Sequence, residues 1–288
     1  IRALLEVAVE QRHATAVLDA TDDGGRTALH KAAYYDNEGC IRALLEVAVE
    51  QRHATAVLDA TFDDGWTALH WAAYKDNEGS IRALLEVAVE QRHATAVLDA
   101  TFDGGWTALH VAAKEGNEGS IRALLEVAVE QRHATAVLDA TDDGGRTALH
   151  EAAFNGHEGC IRALLEVAVE QRHATAVLDA TDGDGRTALH LAALKGNEGS
   201  IRALLEVAVE QRHATAVLDA TDVYGRTALH WAAYKDNEGS IRALLEVAVE
   251  QRHATAVLDA TFDGGSKALH LAAQEGNEGS SRALLEVA

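Results

Sequence analysis

Two sets of histidines recur along the 288-residue sequence at a spacing of 40. His30, His70, His110, His150, His190, His230 and His270 each end an Ala-Leu-His run, preceded by Thr in all but the last. His53 and its equivalents form the second ladder, one imidazole per period. An imidazole can act as a base or a metal ligand near neutral pH. Zinc needs several ligands at about 2 Å, and rungs about 10 Å apart, the spacing of packed helices, cannot share one ion. Glu50 with His53 is an i, i+3 pair, enough only for a weak surface ion site. The carboxylates are numerous but diffuse: Asp22 with Asp23, and Asp63 with Asp64, stand in turn-like segments with no pocket to separate their pKa values. No Ser-His-Asp order, Cys-x-x-Cys or acidic calcium loop recurs, and Gly24-Gly25 resembles a phosphate loop in composition alone. Catalysis requires a concave pocket with perturbed groups. No catalytic, cofactor-binding or metal residue is assigned, and the chain reads as non-enzymatic.

The segment IRALLEVAVEQRHATAVLDAT starts at Ile1, Ile41, Ile81, Ile121, Ile161, Ile201 and Ile241 without a change. A fixed period of this kind is the signature of a repeat architecture and outranks the two domains that length alone suggests. The expected organisation is a single array over 1–288: a half repeat 1–20, full repeats 21–60, 61–100, 101–140, 141–180, 181–220 and 221–260, and a partial repeat 261–288.

Within 21–60, Asp22-Asp23-Gly24-Gly25-Arg26 is a turn by composition. Thr27 is placed to cap a first helix whose Leu29, Ala32 and Ala33 share one buried face. Asp36-Asn37-Glu38-Gly39 breaks that helix, and Asn37 can cap the next. Ile41, Leu44, Leu45 and Ala48 then form a helical stripe. One such pair cannot bury both faces alone, so stacking must complete the core.

The run Gly-x-Thr-Ala-Leu-His-x-Ala-Ala, as in Gly25 to Ala33, resembles the ankyrin repeat, and Ile41…Leu44-Leu45-Glu46 resembles its second helix. The resemblance covers nearly the whole chain and implies an all-α solenoid of stacked helix-turn-helix repeats with β-turn fingers. It also implies that the Ala-Leu-His histidine links the Thr of its own repeat to the neighbouring backbone, a structural role. There are three departures. Ala28 stands where the family has Pro. The period is 40 rather than 33, with the additional residues inside Glu46 to Thr55. Ala48 occupies the place of the family's helix-ending Gly, so a second helix about two turns longer is expected, with an extended loop as the alternative. In the last copy, Ser281 replaces Ile, Lys267 replaces Thr and Ser266 replaces Arg or Trp, which suits a capping repeat. Ile1 shows no such adjustment and reads as a cut edge.

Copies differ mainly at the positions equivalent to 22, 23, 24 and 26 in the turn, and 31, 34 and 35 on the first helix. All aromatic residues lie at these positions. In proteins of the resembled family the concave surface carrying such positions binds partners. Aromatics and Arg concentrate binding energy at interfaces. The expected protein-binding residues are Arg26, Tyr34, Tyr35, Trp66, Trp71, Tyr74, Trp106, Arg146, Phe154, Arg186, Tyr224, Arg226, Trp231 and Tyr234. Neutral drift of exposed positions is the competing explanation.

The formal charge of −21 repels phosphate backbones and attracts basic surfaces, so the expected partner is a protein or peptide, basic in character, and not nucleic acid. No apolar run reaches the roughly 18 residues of a membrane span. Cys40 and Cys160 are three repeats apart, too far for a disulfide, which points to free thiols and an intracellular, cytoplasmic protein; a monomer is expected. A spacer array with no specific ligand and an engineered consensus array are the alternatives to an interaction scaffold.

Overall fold

The computed structural model describes residues 2–287. It divides into two compact units, residues 1–143 and 144–288, each built from the same stacked module. In the first unit the module is shown by 61–100, with helices Ala68–Tyr74, Glu78–Glu90 and Ala94–Asp99. In the second, 221–260 gives Ala228–Tyr234, Glu238–Glu250 and Ala254–Asp259. Within each unit, first helices pack on first helices and second on second. The small side chains permit this: Ala72, Ala73, Ala232 and Ala233 are fully enclosed, as are Ile81 and Ile241. The all-α stack expected from the repeat is therefore present in both units.

The expected two-turn extension of the second helix is corrected. The helix runs only two residues past the Ala48 position, to Glu50, and the remaining residues form a separate helix, Ala54–Leu58. The junction closes with His53 N–H on Ala48 O (2.8 Å) and Arg52 N–H on Val49 O (2.9 Å), with Arg52 left-handed at φ 54°. This is the bond pattern of a Schellman cap, with arginine where glycine is usual. The left-handed region costs a side-chain-bearing residue about 1–2 kcal/mol. A continuous helix would carry Gln51, Arg52 and Thr55 round to the buried stripe and swing Val57 away from it. The break keeps those polar residues out of the core and returns Ala54, Val57 and Leu58 to it, at 2–3% exposure.

Fingers precede the first helices. Thr101–Phe102 pairs antiparallel with Trp106–Thr107, and single bridges join Thr21 to Thr27, Phe62 to Trp66 and Phe262 to Ser266. Several adjacent fingers share one backbone hydrogen bond. In the first unit Asp103 N–H donates to Asp64 O and Asp143 N–H to Gly104 O, both 2.8 Å; in the second, Val223 N–H donates to Asp184 O (3.0 Å). Glycine is required at the position of Gly185: its φ is 74°, and a Cβ there would stand 3.0 Å from Val223 N.

Asn37 was expected to cap the second helix, but no such side-chain bond forms. One period on, Asn77 Nδ2 reaches back to the preceding repeat, donating to the carbonyls of Ala33 (2.7 Å) and Tyr34 (3.0 Å). Those carbonyls end a helix and lack intrahelical partners, so an amide donor satisfies two of them. The second helix is capped from the preceding repeat instead. Asp36 Oδ1 accepts from Ser80 Oγ–H (2.8 Å) and Ser80 N–H (3.2 Å). In the second unit the corresponding residues before Ser200 and Ser240 are Gly156 and Gly196, and both serine hydroxyls are enclosed without a partner. Removing a bonded hydroxyl costs about 1 kcal/mol, whereas removing an orphaned buried one relieves a desolvation penalty. Ser80→Ala should therefore lower the urea midpoint and Ser240→Ala should hold or raise it. Equal losses at the two sites would contradict the assignment.

In the last repeat Ser281, at the place of the buried Ile41, is half-buried and donates its hydroxyl to Asn277 O (2.8 Å). Neither Cys40 nor Cys160 is in a disulfide.

Candidate protein-binding face

The invariant histidines build the frame beneath this face. Thr67 N–H, which can only donate, bonds His70 Nδ1 at 3.2 Å, and Thr67 Oγ1 lies 2.8 Å from the same nitrogen. Nδ1 is thus the acceptor, and Nε2 carries the hydrogen, which it donates to Trp106 O of the next finger at 3.1 Å. The second unit repeats this, with His150 Nε2 on Arg186 O and His190 Nε2 on Arg226 O, both 3.0 Å. The carbonyl held is that of the finger residue equivalent to Arg26, which differs between copies, so these histidines position the next finger. Burial lowers the pKa of His70, His150 and His230 to about 4, and lowers those of His30 and His190. A second proton would also have to displace the Thr N–H from Nδ1.

The other histidine ladder pairs between repeats. His93 Nε2 lies 2.8 Å from Asp59, and His253 Nε2 lies 2.8 Å from Asp219. Among the described residues no group of three His, Cys, Asp or Glu is placed to hold a metal ion. The outer surface of the second helices is equally regular: Arg162 bridges Glu158 (2.9 Å) and Glu206 (2.7 Å), and Arg82 meets Glu126.

The variable residues lie elsewhere, and in each unit the finger and first-helix positions meet. In the first unit Phe62 stacks on Trp71 with centroids 5.6 Å apart, and Trp66 is 4.8 Å from Trp71 and 5.9 Å from Tyr74. Tyr34 packs 4.9 Å from both Trp71 and Tyr35. Trp106 joins through Phe102, which is 4.7 Å from Trp66 and 6.3 Å from Trp106. Lys75 lies over Tyr34 (4.7 Å) and Tyr74 (4.9 Å), and Lys114 over Trp106 (4.7 Å). In the second unit Trp231 is 6.1 Å from Tyr234, Arg226 lies over Trp231 (4.9 Å) and Tyr224 (5.2 Å), and Arg146 over Phe154 (5.2 Å). Arg26, Tyr35, Tyr74, Tyr224 and Tyr234 are exposed, while Tyr34, Trp66, Trp71, Trp106, Arg146, Phe154, Arg186, Arg226 and Trp231 are half-buried. None of the fourteen belongs to the interior. The residue equivalent to 31 does become interior in other copies, as at Val111, Glu151 and Leu191.

Sequence reasoning missed how the finger positions are coupled. Asp at the first finger position goes with Arg four residues later, as in Asp22–Arg26 and Asp182–Arg186, and Phe there goes with Trp in Phe62–Trp66 and Phe102–Trp106 but with Ser266 in the last copy. The structure supplies the reason. Asp182 Oδ1 accepts the backbone N–H of Asp184 (3.0 Å) and Arg186 (2.9 Å), while Oδ2 takes Arg186 Nε (2.9 Å) and Nη2 (2.8 Å). Burial alone would raise the Asp182 pKa, but the Arg186 bonds hold it below the ordinary carboxylate value. At Asp22 the hydrogen bond from Lys31, 2.7 Å away, is the main cause of a pKa far below the usual range. Phenylalanine cannot make these bonds, and its finger is tied by ring packing and a backbone bridge instead. Phe62, Phe102, Asp182, Asp222, Lys75 and Lys114 thus belong to the face although they were not among the expected site residues; the paired alternation of two finger positions was the available signal.

No helix among the described residues is long and apolar enough to cross a membrane. No curated protein matches the chain. Among solved structures, it is similar to the ankyrin repeat domain of Bcl-3, described as a unique member of the IkappaB protein family: TM-score 0.70 and 24% identity, covering 92% of this chain and 99% of that one. It is also similar to the human ASB11 ankyrin repeat domain: TM-score 0.62 and 23% identity, covering 91% and 98%. At this identity the two likenesses show the fold alone. Residues 2–95, 87–175, 167–255 and 218–288 each match the family model for ankyrin repeats in three copies. The chain belongs to the ankyrin-repeat family, whose members generally mediate protein–protein interactions.

Proposed function

We propose that the chain is a non-catalytic scaffold that binds a protein or peptide through the fingers and first-helix surfaces. One observation carries this reading: sequence variation, the aromatic rings and most of the lysines gather on the fingers and first helices of each unit, while the second and third helices differ between copies only at the positions of Cys40 and Ile41. Drift would scatter substitutions over every exposed position. The exposed second-helix surface carries Glu46, Glu86 and Glu126 without change.

The −21 charge resides largely on that constant frame, which supports a basic partner drawn in from a distance and disfavours nucleic acid. Aromatic and cationic side chains then make the close contacts. The thiols outside disulfides support a reducing, cytoplasmic setting. A monomer organised as one array of repeats is part of the proposal, on the strength of the unbroken period. Affinity capture with quantitative mass spectrometry tests it, using the chain and its Trp66→Ala/Trp71→Ala/Trp106→Ala variant side by side. A stoichiometric partner present with the first bait and lost with the second supports binding. No stoichiometric partner at physiological salt would favour a spacer.

A further inference from the structure

In the second unit one arginine of this face stands out from its equivalents. Arg186 is satisfied: its guanidinium makes two bonds to Asp182 and lies 2.6 Å from Asp184. Arg226 occupies the same finger position beside Asp222, yet among the described residues its guanidinium makes no hydrogen bond or ion pair, and its enclosed Nε is unpartnered. The cause is the residue at the first-helix position. Where the fifth repeat has Leu191, the sixth has Trp231, whose Nε1–H donates to Asp222 Oδ2 at 3.1 Å and takes the oxygen that Asp182 gives to Arg186. Asp222 Oδ1 is occupied by the backbone N–H groups of Tyr224 and Arg226, both 2.9 Å.

Displaced from its carboxylate, the Arg226 guanidinium lies between the rings of Trp231 (4.9 Å), Tyr224 (5.2 Å) and Phe262 (5.4 Å). It lines a cleft of about 530 Å³ together with Tyr234, Ser266 and Leu271. Aromatic faces attract a guanidinium but accept none of its in-plane N–H bonds, and a half-buried guanidinium with unmet donors is a strong site for a carboxylate. The finger is already fixed, because Arg226 O accepts from His190 (3.0 Å) and Arg226 N–H is bound. Little ordering is therefore left to oppose binding. Asp263 and Glu275 stand on the same cleft and repel a polyanion.

We propose that this cleft receives a single carboxylate side chain of the partner, on a peptide segment otherwise uncharged or basic, with Arg226 as its bidentate donor. The proposal rests on the protein-binding reading above and adds to it the chemistry of one anchor.

Random peptides displayed on phage, selected on the full chain and counter-selected on Arg226→Gln, provide the test. The substitution leaves both backbone bonds of residue 226 in place. The recovered peptides should share one Asp or Glu. Changing it to the amide should weaken binding about 10- to 100-fold, the worth of a charge-assisted bidentate contact, and should have no further effect on Arg226→Gln. Trp231→Leu recreates the fifth-repeat pattern and returns Asp222 to Arg226, so it should abolish the same discrimination while Arg226 is still present. Recovered peptides without an acidic residue, or an amide penalty that persists in both variants, would overturn the proposal. Peptides that depend on Trp66, Trp71 and Trp106 but never on Arg226 would overturn it and leave the protein-binding reading standing. An absence of peptides on either cluster would remove both.

Discussion

Acidification from pH 6.5 to 5 should already strip stability from both units, above the range in which ordinary carboxylates protonate. The five histidines lowered by burial, His30, His70, His150, His190 and His230, are held neutral in the folded chain. In the unfolded chain each titrates near 6.5. Above that value neither state binds the proton, and the contribution of each histidine is complete. As the pH falls through 6.5 the unfolded state takes up protons that the folded state refuses until about 4 for His70, His150 and His230. Stability is lost across that window at up to about 1.4 kcal/mol per pH unit per histidine. For His70 the whole window amounts to about 3 kcal/mol, against a total of about 5–15 kcal/mol for a typical domain. Urea midpoints followed by circular dichroism at pH 7, 6, 5 and 4.5 measure the effect. A steep fall, made shallower by His70→Gln, is expected. A midpoint that does not move between pH 7 and 5 would contradict the neutral Nε2–H assignment.

Replacing Trp66, Trp71 and Trp106 together by alanine should weaken partner binding by about 100-fold or more while the helices persist. Each ring is half-buried and in contact with another aromatic of the face, the environment in which interface anchors cost about 2 kcal/mol or more on truncation. The three share neighbours, so their losses will not simply add. The fold should survive because the buried frame of Leu69, Ala72, Ala73 and the Thr67–His70 pair involves none of the three side chains. Lost ring contacts cost about 0.5–1.5 kcal/mol per pair. Far-ultraviolet circular dichroism and titration against the captured partner separate the outcomes. Binding unchanged with helicity intact would reject these anchors.

Much of this was legible before the structure because the repeat writes each physical requirement seven times over. Leu29 with Ala32 and Ala33, and Ile41 with Leu44, Leu45 and Ala48, state two helical faces that burial bears out. The role of His70 followed from the family resemblance. What escaped was non-local or conformational. The helix break at Arg52 needs a left-handed residue that carries no glycine signal. A second apolar set, Ala54, Val57 and Leu58, out of phase with the first, was its only trace. Asn77 acts 44 residues back along the chain and His93 pairs 34 residues back, distances at which a local pattern says nothing. The difference between Arg186 and Arg226 depends on which neighbour holds an aspartate, a competition that composition cannot rank.

Hydrogen–deuterium exchange on the captured complex examines the binding face most directly. Added protection should fall on the fingers and first helices, including Phe62 to Tyr74 and Val223 to Tyr234, and leave Glu78–Glu90 and Ala94–Asp99 unchanged. Protection concentrated on the second and third helices, with the fingers unaffected, would show that the constant frame and not the varied surface meets the partner.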